Sequence, residues 1–435
     1  MRKSSAYIDG FFGDGGKGNA LSSILEEAAL RVKFPAANEG KPIFSYSNVG
    51  ANNAANSYFI HGGEFVLRQT PAGVLIAEKA FSQIGEEKYI RPEKLMEEMK
   101  MLLRRGIKVT PDNFGIAPNA HITLQYHIDA DQENLHTVGE HMSTGNGVLQ
   151  TAADKYARKG LRFIEFLDQD LMTEILLEKV FIEDHDRKEK ARRLAERYQP
   201  EREFLSSFVM QDHVALRKHG SHYAFAVNAH GVGLDINAGL YPGITSSHPA
   251  RAPRWADTIF GVFKLYVSSV GARDRAFVSR MDPDLEPVVR EAWGERGTGS
   301  GKNRLLGWFD AVLARYSIAK SEMDYLIGTC GDRMTTLHTV GVKPKIVVAY
   351  EIDGKRYEEW QDSFHRRDFL RRAKPITVEF NSWENFTEAD RQTLHPHAQK
   401  YVDRIQQELG REFVMLTQGP RGKQDTIIYQ HPLDL

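Results

Sequence analysis

One segment near the start of the chain constrains its fold more than any other. The apolar residues Ala6-Tyr7-Ile8 run into a dense glycine stretch, Gly10-Phe-Phe-Gly-Asp-Gly-Gly-Lys-Gly18, and Asn19 to Leu30 then repeats its apolar residues at helical spacing. This order predicts strand, loop and helix. Backbone N–H groups of a glycine loop ahead of a helix form an anion nest, the helix dipole adds positive potential, and Lys17 supplies a point charge suited to phosphate. The loop is not a Walker sequence, because Lys17 is followed by Gly18 and Asn19 rather than by Ser or Thr. Asp14 is the unusual member, since a carboxylate repels phosphate unless it binds magnesium or serves as a base.

The remainder of the chain alternates between strand and helix signals, which predicts an α/β fold with a large, mostly parallel central sheet flanked by helices. Pro42 to Tyr46 and Glu64 to Leu67 read as short strands, and Arg91 to Arg105 reads as a helix with Pro92 in its first turn. Leu167 to about Glu203 is helical and charged with both signs, the pattern of a solvated face. Apolar character resumes at His222 to Val227 and Thr258 to Val267, and Lys345 to Ile352 is a strand ending in the turn signal Asp353-Gly354. The 435 residues allow one large domain or two to three smaller ones. No repeat, low-complexity linker or compositional break divides them, so a single domain over residues 1–435 is expected.

Charge and cysteine content exclude several classes. Lys plus Arg at 57 against Asp plus Glu at 58 leaves no global field for nucleic acid or an anionic membrane, so an anionic ligand must be met by local charges. The one cysteine, Cys330, makes no intrachain disulfide and fits a reducing compartment. No run of 18 apolar residues and no export signal is visible, and a cytoplasmic location is expected. The pairs His219/His222 and His395/His397 lack a second matched pair, so no zinc centre is expected.

The glycine loop also carries a family resemblance. Phe12-Gly-Asp-Gly-Gly-Lys-Gly18 resembles the Trp-Gly-Asp-Glu-Gly-Lys-Gly loop of adenylosuccinate synthetases, and similar segments follow in the same order to the carboxyl terminus. The resemblance implies that family's P-loop-type fold, with helical insertions at about 85–205. It also implies that Asp14 takes the N1 proton of a purine and ligates Mg²⁺, and that Gly13, Gly15, Gly16, Lys17 and Gly18 cradle the donor nucleotide. Asn53-Ala54-Ala55-Asn56-Ser57 stands where the family has Asn-Ala-Gly-His-Thr. Asn53 then touches the monophosphate and Ala55 falls at a metal position, while Asn56 replaces the general-acid histidine. An amide donates a hydrogen bond there but delivers no proton at neutral pH.

Four further segments extend the resemblance. Thr144 and Arg158, within Ser143 to Arg162, fall on monophosphate contacts, and Arg158 matches an arginine donated by the partner subunit, which implies a homodimer; Asn146 replaces a family arginine. Taken alone, Arg158 and Arg162 are a basic helix face. His230 in Asn228-Ala-His-Gly-Val-Gly-Leu-Asp235 takes the position of a glutamine at the purine 6-oxygen, and Thr245 in Tyr241 to Ser247 falls on the monophosphate. Ser300, Lys302 and Arg304 fall on the amino-acid contacts; Arg304 offers a bidentate clamp and Lys302 only a point charge. Asp332 in Thr329-Cys-Gly-Asp332, with Thr417 and Gly419, marks the donor ribose and base.

The implied activity is a ligation of an IMP-like purine nucleoside monophosphate with aspartate, driven by GTP and Mg²⁺, with ATP as the alternative donor. The departures at Gly15, Asn56, Asn146 and His230 keep two other readings open. One is a relative that uses GMP or dGMP, for which the missing side chain at Gly15 makes room for a 2-amino group. The other is a nucleotide sensor or scaffold without chemistry, against which the retained Asp14 and Lys17 argue.

Overall fold

The computed structural model describes residues 2–36, 39–50, 52–138, 144–181, 185–241, 243–270, 277–297, 301, 303–361, 366–419 and 421–435, leaving aside the side chains of 134–138 and 366–367. Its centre is a nine-stranded sheet. The strands are β1 (Lys3–Asp9), β2 (Ile43–Ser47), β3 (Ala80–Ile84), β4 (Phe114–Ile116), β5 (Tyr223–Gly231), β6 (Thr258–Lys264), β7 (Tyr325–Thr329), β8 (Phe413–Thr417) and β9 (Thr426–Ile428). Their spatial order is β9-β8-β7-β6-β1-β5-β2-β3-β4. Every neighbouring pair is parallel except β8 with β9.

β1 lies in the middle, hydrogen-bonded on both sides, with Ala6 opposite Ile259 of β6 and Ala226 of β5. Both of its faces are covered, which is why six of its seven residues are buried and why it reads as apolar without strict alternation. Tyr7 stacks on Phe260 at 5.1 Å between ring centroids, locking β1 to its neighbour. One core packs helix α1 (Lys17–Arg31) onto the sheet through Leu21, Ile24, Leu25 and Ala28. A second gathers Phe11, Phe12, Phe263, Trp308 and Phe309 around the strand Lys345–Ile352.

The helix expected over Arg91–Arg105 is Pro92–Arg104, with proline at its start as the missing N–H permits. The apolar run at Thr258 divides into β6 and a second strand, Val267–Val270, which leaves the main sheet and pairs with Arg304–Gly307. Helices between Gln125 and Lys218 all fall between β4 and β5. Parallel strands aim their carboxyl ends at one edge, so Asp9, Ser47, Gly231, Lys264, Thr329 and Thr417 end together there.

Candidate functional site

The glycine loop is wrapped around a carboxylate that lies beneath it. Asp9, the last residue of β1, is buried; its Oδ1 accepts the N–H groups of Phe11 at 2.8 Å and Gly13 at 3.2 Å, and its Oδ2 accepts that of Gly15. Lys17 Nζ lies 3.4 Å from the same Oδ2, with both side chains fully out of solvent. The ammonium also donates to the carbonyl of His230 at 2.8 Å and to that of Gly13 at 3.4 Å. Lys17 therefore points inward and ties the loop to the end of β5. Asp9 escaped the sequence reading because a lone acid after a strand carries no signal of the amides that fold back onto it.

Gly16, at φ 73°, turns the loop into α1. Thr329 Oγ1 donates to the Gly15 carbonyl at 2.6 Å, joining the loop to β7. Gly18 meets the hairpin strand Asn56–Ile60 so closely that a Cβ on it would lie 1.9 Å from the Ser57 carbonyl oxygen. This contact brings the segment holding Asn53, Ala55 and Asn56 against the first turn of α1.

Several buried oxygens around this edge have no hydrogen-bond partner: Oδ1 of Asn52 and Asn53, and Oγ1 of Thr245 and Thr417. Each such group costs about 1–3 kcal/mol when unsatisfied, so water or a polar ligand completes them. Thr245 is fixed by its backbone N–H, which donates to the Leu234 carbonyl at 2.8 Å. His230 is buried with φ 65°, and its imidazole ring faces Gly50.

Asp14 faces a buried charge network. Arg304 forms an ion pair with it: Nη2 donates to Oδ1 at 2.9 Å, and Nε stands 2.8 Å from Oδ2 without the alignment of a hydrogen bond. The third Arg304 nitrogen reaches Glu295 Oε2 at 2.6 Å. Glu295 Oε1 accepts from Lys264 at 2.8 Å and from the Tyr266 hydroxyl, and Arg333 stands 3.6 Å away. Burial pushes the Asp14 carboxyl up, with Arg304 and Lys264 pulling it back. Burial acts the same way on Glu295, yet Lys264 and Arg304 overcome it and hold that carboxyl well below its usual range. Lys264 and Glu295 are further residues that sequence reasoning missed. The one available hint was a single lysine inside the apolar run Thr258 to Val267.

The region assigned to the donor base also comes together. Asp332 sits in the first turn of the helix Gly331–Thr339, where burial raises its carboxyl against the pull of Arg333, and the negative charge of Asp425 adds to the rise. Asp425 lies under Gly419, where a Cβ would approach its Oδ2 to 2.5 Å, and its carbonyl accepts from Gln418 N at 2.8 Å. Cys330 is buried at φ 60° with its thiol raised by burial, the opposite of an activated nucleophile. Thr144 and Arg158 are exposed and form no hydrogen bond or ion pair with the Asp14 network; Asn146 Nδ2 donates to Thr144 Oγ1 at 3.0 Å. Ser300 and Lys302 lie outside the described residues.

A buried lysine adjoins this edge. Lys88 Nζ donates to Ser47 Oγ at 2.9 Å and the Val49 carbonyl at 3.4 Å, and burial pushes its pKa down to about 8 against the pull of Glu98. Between pH 8 and the ordinary lysine value of 10.5 the unfolded chain binds more protons, so stability rises with pH across that window. Lys88→Met is expected to flatten that rise and to add up to about 3 kcal/mol at neutral pH, read by denaturant melts across pH. An unchanged pH dependence would show that Lys88 carries no such penalty.

A glycine loop of this build, opening a helix at the carboxyl edge of a parallel sheet, places the chain among the nucleotide-handling α/β enzymes. Comparison with known proteins narrows that class to ligases. The family model for adenylosuccinate synthetase matches residues 8–427. Adenylosuccinate synthetases from Streptococcus gordonii and Streptococcus sanguinis are each 30% identical to this chain, over 96% of it and 96% of their own length. The chain belongs to the adenylosuccinate synthetase family. Among solved structures, fully ligated adenylosuccinate synthetase from Plasmodium falciparum matches with a TM-score of 0.80 at 20% identity, covering 98% of this chain and 100% of the other. A more distant match is the cyanophage S-2L succinoaminodeoxyadenylate synthetase bound to dGMP and dATP, with a TM-score of 0.59 at 15% identity over 98% and 95% of the two chains. Both structures support the shared fold. No helix among the described residues is long and apolar enough to cross a membrane.

Proposed function

We propose that this chain joins an IMP-like purine nucleoside 5′-monophosphate to L-aspartate, using GTP to phosphorylate the purine 6-oxygen before the amine displaces that phosphate. The observation that carries the reading is the ion pair of Arg304 with Asp14, which puts a base and a carboxylate-binding cation side by side at the glycine loop. Asp14, whose carboxyl burial raises, takes the N1 proton as the 6-oxygen attacks the γ-phosphorus and GDP leaves. Arg304 receives the carboxylate of the incoming amino acid. Asn53 through its side-chain NH₂ and Thr245 through its unpartnered hydroxyl donate to the monophosphate, Asp332 and Thr417 hold the donor base and ribose, and His230 and Asn56 donate hydrogen bonds at the reacting oxygens.

The chemistry of the donor set suits a hard divalent cation held mainly by phosphate and water. Among the described residues no cluster of three or more His, Cys, Asp or Glu gathers; the protein ligands that the family resemblance implies for Mg²⁺ are Asp14 and the Ala55 carbonyl. Bound there, Mg²⁺ neutralises charge on the triphosphate. The exposure of Arg158 supports a homodimer in which it reaches the partner's site, and the lone buried Cys330 supports a cytoplasmic setting.

The second reading, a GMP or dGMP substrate, draws on the likeness to the cyanophage enzyme. Its argument from Gly15 weakens, because the space beside that Cα is filled by the Asp9 carboxylate, 2.2 Å from where a Cβ would stand. The test offers IMP, dIMP, GMP and dGMP with aspartate, Mg²⁺ and either GTP or ATP, with products weighed by mass spectrometry. A product heavier by aspartate less water from IMP supports the proposal. The same gain from dGMP alone selects the second reading, and no adduct with triphosphate still bound favours a sensor.

A further inference from the structure

The loop amides of a glycine-rich nest ordinarily face an external anion, and here three of them already face an internal one. Asp9 takes the N–H groups of Phe11, Gly13 and Gly15 together with the Lys17 ammonium, four donors on two oxygens. Lys17 in turn holds the His230 carbonyl, at a residue with φ 65°, in the region non-glycine residues rarely adopt. Two glycines complete the socket: a Cβ on Gly15 would lie 2.2 Å from Asp9 Oδ2, and one on Gly231 would lie 2.6 Å from Oδ1. Asp14, between two of the anchored amides, and His230, at the end of β5, are thus set by one carboxylate that touches neither side chain.

We propose that Asp9 is the positioning residue of this site: through the loop amides it places Asp14, and through Lys17 it places His230, fixing the gap in which the purine 6-oxygen sits between base and hydrogen-bond donor. The role rests on the ligase reading above. An amide in place of the carboxylate has one acceptor oxygen and turns its NH₂ toward two of the four donors, so one half of the socket opens.

Asp9→Asn is expected to lower kcat about a hundredfold, the cost of a roughly 1 Å misplacement, while KM for aspartate changes far less than kcat because Glu295 still aims Arg304. Gly15→Ala, which drives a methyl group into the same carboxylate, is expected to lose a similar factor. The two changes break one contact, so the double variant should be no worse than the poorer single one. Thermal melts accompany each variant, and Gly15→Ala carries the test should Asp9→Asn fail to fold. Wild-type kcat in Asp9→Asn, or losses that multiply in the double variant, would overturn the proposal. If the unaltered protein makes no product, the ligase reading is what fails. The positioning role is then read from GTP binding, which Asp9→Asn should weaken at least about tenfold if the nest is set by Asp9; equal binding would overturn it.

Discussion

Glu295→Gln is expected to destabilise the protein by about 3–5 kcal/mol and to remove activity, the largest combined effect of any single change at this site. The carboxylate sits among Lys264, Arg304 and the Tyr266 hydroxyl, with Arg333 a little further off, and almost none of it meets solvent. Neutralising it leaves two buried cations facing each other without their shared counter-ion. The cost of breaking such a cluster exceeds what the intact cluster contributes, because the residual charge is stranded in low dielectric. Arg304 then has only Asp14 left to hold it, and the base loses its fixed direction. The carboxyl lies below its ordinary value in the fold, so the stability it supplies is present above about pH 4.5 and is lost as pH falls through the folded value. Denaturant melts of the two proteins from pH 7 downward should therefore converge. A variant within 1 kcal/mol of the unaltered protein at pH 7 would mean that Lys264 and Arg304 find other partners.

The parts of this molecule that could be read from the sequence are those whose cause is local. The glycine loop, α1 and the helix Pro92–Arg104 came out close to their observed bounds because glycine, proline and apolar periodicity act within a few residues. β3, β7 and β8 did not come out, for a reason visible in β3. Ala80-Phe-Ser-Gln-Ile84 is covered on both faces, so no alternation marks it, and its buried Gln83 is accommodated by the Met210 carbonyl and Asp212 more than 120 positions away. The site divides the same way. Motif order picked out Asp14, Arg304 and Asp332, whereas Asp9, Lys264 and Glu295 work through contacts that only the folded sheet makes. The orientation of Lys17 belongs to that second group: its type predicts phosphate, and its neighbours Asp9 and His230 turn it inward.

Asp14→Asn should separate binding from chemistry in a way that a general loss of structure does not. Turnover is expected to fall by a factor of about 10²–10⁴, the usual worth of a positioned base, because the amide accepts no proton from N1. Affinity for aspartate is expected to rise at the same time. In the structure both remaining edges of Arg304 are occupied, one by Glu295 and the other by the two oxygens of Asp14. An incoming carboxylate therefore competes with Asp14 for the guanidinium. Replacing Asp14 with a neutral isostere removes the charge from that competitor while leaving Glu295 to aim the arginine. Asp14 is also the group that the exchange sets free, so amino-acid binding in the unaltered protein should make the base available as its partner is drawn away. Calorimetric titration of aspartate into each protein, with the nucleoside monophosphate bound, reads the effect directly. Tighter aspartate binding with collapsed turnover matches this exchange. Full turnover in Asp14→Asn would remove Asp14 from the chemistry. Unchanged or weaker aspartate binding would show instead that the amino acid does not draw on Arg304, leaving the arginine as a fixed support of the base.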